Sequence, residues 1–125
     1  MKSSRFAFFG ALNGFLSVAF GAFGAHALRG RIDERLFEVF QTAVHYHGMH
    51  ALALLAVGIW VAAGGSVWVR RSGWLFALGI LLFCGSLYLL ALGGASAWGL
   101  VTPFGGLAFL GGWAALAAAA YRDGR

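Results

Sequence analysis

The sequence predicts an all-α integral membrane protein: a four-helix bundle with short loops and both termini on the cytoplasmic side. Three features require it. Hydrophobic residues make up 61% of the 125 and charged residues 10%, far below the quarter or so of an ordinary water-facing domain. Mean hydropathy is +0.82. Four stretches, about residues 6–28, 43–63, 73–93 and 103–121, are apolar over a length that crosses a bilayer, which takes about 20 residues at 1.5 Å of rise each. A closed barrel is the alternative way to span, but its strands alternate polar and apolar positions. LALLAVGIW (52–60) and ILLFCGSLYLLAL (80–92) are continuous apolar runs.

The elements follow in order. Lys2 and Arg5 precede the first run, and the triplet Ala25-His26-Ala27 near its end imitates a signal-peptide cleavage site. A secretory h-region has about 7–15 residues; this run is longer, so it is expected to remain as a spanning helix. Over 31–42, Ile32, Leu36, Val39, Phe40 and Ala43 recur at helical spacing behind Asp33-Glu34, predicting a short amphipathic helix on the outer face that leads into the second span. Gly64-Gly65 and Gly93-Gly94 end the second and third spans, where glycine is favoured past a helix end. Thr102-Pro103 opens the fourth, with Thr suited to capping and Pro to the first helical position. Trp60, Trp68, Trp74 and Tyr121 fall near one membrane face, Tyr46 and Trp98 near the other, as an interfacial belt requires. The whole chain is one transmembrane domain.

Basic residues give the orientation. One side carries Lys2, Arg5, Arg70, Arg71, Arg122 and Arg125; the other carries Arg29, Arg31 and Arg35, diluted by Asp33, Glu34 and Glu38. The excess places both termini in the cytoplasm. The net charge of +5 is dispersed over ends and loops with no basic stripe, so nucleic acid is not expected as a partner. One cysteine, Cys84, rules out an internal disulfide and a cysteine-based zinc site.

Helices in lipid associate through small residues that let backbones approach. The first span has Gly10, Gly14, Ser17, Gly21 and Gly24; the fourth has Gly105, Ala108, Gly112, Ala115 and Ala119. Both read as seams of alternating three- and four-residue spacing. Gly10, Gly14, Gly21, Gly105 and Gly112 are therefore candidate packing residues. Two seams exceed what one compact bundle obviously needs, so a homo-oligomer, or contact with other membrane proteins, is expected.

No Asp, Glu, Lys or Arg lies within the four runs, so a charge-coupled transporter lacks its usual acid. The polar exceptions are chiefly histidines, all on the outer side. His26 closes the first span, and His45, His47 and His50 open the second, roughly 3, 6 and 10 Å below its start at Ala43. His47 and His50, at i and i+3, share a helix face; His45 points elsewhere. Tyr88, near the outer end of the third span, falls at a similar depth. The candidate polar cluster is thus His26, His45, His47, His50 and Tyr88, and the candidate metal ligands are His26, His47 and His50. Imidazole suits zinc or copper; less expected are a haem, which needs an axial His over a flat cavity, and a quinone, which needs a donor and aromatic walls. The alternative is that these histidines bond hydroxyls and carbonyls between helices. Asn13, inside the first span, is expected to bond another helix.

GAFGAHAL (21–28), TAVHYHGMHALALL (42–55), GSLYLLALGG (85–94) and TPFGGLAFLGGW (102–113) resemble, in order and over nearly the whole chain, the domain-of-unknown-function 423 family. These are small membrane proteins that include a YgdD-like bacterial group and a transmembrane protein 256-like group. The resemblance implies a four-helix protein of the cell inner membrane and implies no activity. The family pattern includes histidines that match His26, His45, His47 and His50, whereas Gly48 stands where a bulkier residue is expected. With no Ser/His/Asp order, no carboxylate pair and no phosphate loop, the expectation is a non-enzymatic accessory or scaffold protein, with a metal- or cofactor-binding module as the alternative.

Overall fold

The computed structural model describes residues 4–123; Lys2 and Arg125, counted above for orientation, lie outside them. Helix α1 (Ser4–Phe23) continues into a π-helical turn, Gly24–Leu28. Helix α2 is Glu34–Ala62. The third span is α3 (Val67–Gly79), a π-helical turn Ile80–Cys84, and α4 (Gly85–Ala91). A 3₁₀ turn, Ser96–Leu100, leads to α5 (Thr102–Asp123). Four helices are long and apolar enough to cross a membrane: Arg5–Leu28, Glu34–Ala62, Val67–Ala91 and Ser96–Asp123.

The ends of α2 and α4 show why glycine stands there. The Gly65 N–H bonds the Trp60 carbonyl and the Gly64 N–H the Val61 carbonyl, both at 3.0 Å. Gly94 and Gly93 repeat the pattern on Leu89 and Leu90. Gly64 and Gly93 both have φ +96°, the left-handed conformation that lets this double bond form without a Cβ clash.

Two boundaries differ from expectation. The segment expected as a separate outer-face helix over 31–42 is the start of α2, which runs without a break for 29 residues. At 1.5 Å per residue α2 is about 43 Å long, so its first turns project beyond the hydrocarbon. They hold there because Phe37 and Phe40 turn inward onto Leu28 and Ala91, while the Arg29 guanidinium covers the Phe37 ring at 4.9 Å. The third span starts at Val67 rather than 73, so Arg70 and Arg71 stand within its first two turns and not in a loop. Thr102 begins α5, but its hydroxyl bonds Ser86 Oγ at 2.5 Å, tying the fourth span to the third.

Helix α1 packs along α2, α2 packs on α3 and α4, and α5 packs on α3. The seams show how. A Cβ on Gly10 would meet the Leu55 backbone at 2.5 Å, and one on Gly58 would strike the backbone of Ala7. Gly21 faces Val44. On the other side a Cβ on Gly105 would strike the backbone of Phe83, and one on Gly112 would meet the Phe76 ring at 2.6 Å. These glycines are consumed inside the bundle. Gly14 is different: nothing stands within 4 Å of where its Cβ would be, so it does not close the α1–α2 contact. Because the seams are occupied within the chain, they no longer argue by themselves for a second copy. The inner core gathers Phe6, Leu54, Val57, Phe76, Ile80, Cys84 and Phe109.

Candidate functional site: two buried histidines on one helix

His47 and His50 are 3% and 2% exposed. They sit on α2 because the polar run of 42–50 falls on the helix that touches both halves of the bundle. Their rings go to different neighbours. His47 lies between α1 and α4: its Nδ1 is 2.9 Å from the Tyr88 hydroxyl and its Nε2 is 2.8 Å from Asn13 Oδ1. The Asn13 amide N–H donates to the Phe9 carbonyl at 2.8 Å. That turns Oδ1 toward His47, so Nε2 carries the proton and Nδ1 accepts from Tyr88. Three helices are tied by one neutral ring.

His50 faces α5. Its Nδ1–H donates to the Tyr46 carbonyl at 2.8 Å, and its Nε2 accepts the indole N–H of Trp113 at 3.0 Å. The ring lies flat on Phe109, with centroids 3.6 Å apart and planes at 10°. Here the proton is on Nδ1, the opposite tautomer from His47.

His26 and His45 are exposed. His26 is in the π-helical turn that ends the first span. His45 lines a shallow cleft of about 240 Å³ with Gln41, Val44, Gly21 and Gly24. Among the described residues no three His, Cys, Asp or Glu side chains stand together where they could hold a metal. The metal set His26, His47 and His50 is therefore not assembled. The cause is geometric: His26 ends α1 on the exposed side, and both nitrogens of His47 and of His50 are already bonded to protein groups. The polar cluster also divides, with Tyr88 on His47 alone. Trp113 was not singled out in the sequence, although it stands in the middle of its 22-residue helix, too deep for an interfacial belt. An indole N–H at that depth has to find a partner inside the protein. Cys84 is buried in the inner core.

A lipid-open groove of about 670 Å³ runs between α2 and α5, walled by Tyr46, Phe83, Phe109 and Trp113, with His50 among its lining. Its surface is chiefly apolar, and the histidine nitrogens it could offer are occupied.

Four apolar helices tied across the bilayer interior by neutral side chains define a small multi-pass integral membrane protein. The chain belongs to the family described as protein of unknown function DUF423, whose model matches residues 20–106. Similar proteins include the UPF0382 inner membrane protein YgdD of Escherichia coli K12, 42% identical over 98% of this chain and 93% of the relative. The UPF0382 membrane protein YwdK of Bacillus subtilis is 42% identical over 94% and 96%. A UPF0382 membrane protein of Staphylococcus haemolyticus is 43% identical over 86% and 88%. No solved structure matches. The chain is a multi-pass protein of the inner membrane, in a family without a described activity.

Proposed function

We propose that this chain is a non-enzymatic accessory or scaffold protein of the membrane, and that His47 and His50 are its interhelical ties rather than ligands. The observation that carries this is the saturation of both rings: all four nitrogens have protein partners at 2.8–3.0 Å. A general base or a metal ligand needs a free lone pair. A polar group left unbonded at this depth costs several kcal/mol, so the bonds are required for the histidines to be tolerated at all. Elemental analysis of the purified full chain tests the reading. The expected result is no stoichiometric transition metal, with His47→Ala and His50→Ala lowering stability. One metal per chain, lost in His47→Ala, would establish the ligand role instead.

We also propose that both termini are cytoplasmic. Four antiparallel spans put the start of α1 and the end of α5 on one side of the bundle, together with Arg5, Arg70, Arg71 and Arg122, and basic residues accumulate inside. A single cysteine at position 70, in a Cys84→Ala background, should resist a membrane-impermeant maleimide in intact spheroplasts; labelling there would reverse the orientation.

A further inference from the structure

We propose that Arg71 and Arg122 bind the phosphate of an anionic phospholipid, in the leaflet where α3 begins and α5 ends. The two guanidinium groups come from different helices, fifty-one residues apart in sequence, and converge on one indole. Arg71 lies over the Trp68 ring at 4.7 Å from its centroid and Arg122 at 5.9 Å. Trp68 is itself anchored, partly buried against the inner core. Both arginines are exposed. A guanidinium lying over an anchored ring has less rotamer freedom left to lose when it meets a ligand, and the fork of each guanidinium matches phosphate oxygens.

The surroundings fit an anion at the headgroup level. Three of the four acidic residues, Asp33, Glu34 and Glu38, belong to the opposite end of the bundle. The remaining one, Asp123, points its Oδ2 at the backbone N–H of Ser66, 3.3 Å away, at the start of α3. The Ser66 hydroxyl oxygen in that corner is buried, with no hydrogen-bond partner among the described residues, and takes no part in the exposed site. Trp74 and Tyr121, both exposed, stand at this end of α3 and α5 and suit the interfacial belt. A lipid supplies what a free anion does not: acyl chains that lie along the apolar outer face of the third span, where Leu78 of α3 and Leu81 of the following π-helical turn are exposed. Basic groups between helices at the membrane surface are suited to such headgroups.

The test uses the full chain in phosphatidylcholine nanodiscs with increasing phosphatidylglycerol, with bound lipid counted by native mass spectrometry after release. The wild-type chain is expected to retain phosphatidylglycerol in preference to phosphatidylcholine. Each arginine changed to glutamine should weaken that preference by about fivefold, the effect of one basic residue at an anionic surface, and Arg71→Gln with Arg122→Gln by more than tenfold. Arg29→Gln with Arg31→Gln, at the other end, should leave it unchanged. Inorganic phosphate should not compete. If the double variant fails to fold, Arg122→Gln alone, at an exposed helix end, gives the same reading at fivefold. An unchanged preference in the Arg71/Arg122 variants, an equal loss in the Arg29/Arg31 variant, or displacement by inorganic phosphate would each overturn the assignment.

Discussion

His47 and His50 are one turn apart on α2 and equally buried, yet their rings leave the helix toward different halves of the bundle. His47 is held by polar side chains: a phenol from α4 and a carboxamide from α1. Both of its hydrogen bonds run to side chains of other helices. His50 is held by aromatic rings: it lies flat on Phe109, receives one indole N–H, and spends its own N–H on its own helix. The first histidine is a polar tie among three helices; the second is a flat core residue with one directional bond. Sharing a helix face within 60° is thus compatible with having no partner in common, because a helix wedged between two neighbours presents its face to both.

That difference makes separable predictions. His50→Ala should have the largest effect, about 3–5 kcal/mol, since it opens a cavity against Phe109 and orphans the Trp113 N–H. His47→Ala should cost about 2–3 kcal/mol, chiefly from leaving Tyr88 and Asn13 unpaired. Steric-trapping measurements of unfolding in bicelles give both values, and the reverse order would remove the distinction. Tyr88→Phe and Trp113→Phe should each cost about 0.6–2 kcal/mol, the range for interhelical bonds in lipid. Combined, they should add to within about 0.5 kcal/mol because the two ties share no partner. A coupling well above that value would mean one network. Tyr88→Phe in a His47→Ala background should be nearly silent. The smallest effects belong to the exposed pair: His26→Ala and His45→Ala should each stay within about 0.5 kcal/mol.

The presence of four spans and their glycine ends were legible in the sequence because each depends on local quantities: run length and helix-end chemistry. Convergence was not, since it depends on how helices rotate against one another. His26 shares a membrane side with His47 and His50, but the π-helical turn at Gly24–Leu28 closes α1 with His26 on the exposed side. Gly14 fits the seam spacing as well as Gly10 does, yet it sits about 40° round the helix and faces open space. Gly58, which lets Ala7 approach, was hidden in a run that read only as a span. Asn13 was recognisable as a polar group needing another helix, whereas Trp113 was passed over within an apolar run; pairing each with its histidine required the packing of α1 and α5 on their neighbours.

The two tautomers test the central claim most directly. With ¹⁵N-labelled histidine in lipid bilayers, the imidazole spectrum should show two neutral buried rings, one protonated on Nε2 (His47, assigned by its loss in Asn13→Leu) and one on Nδ1 (His50, assigned by its shift in Trp113→Phe). Rings of the same tautomer, or resonances that move together when zinc is added, would contradict separate ties and point back to a shared ligand.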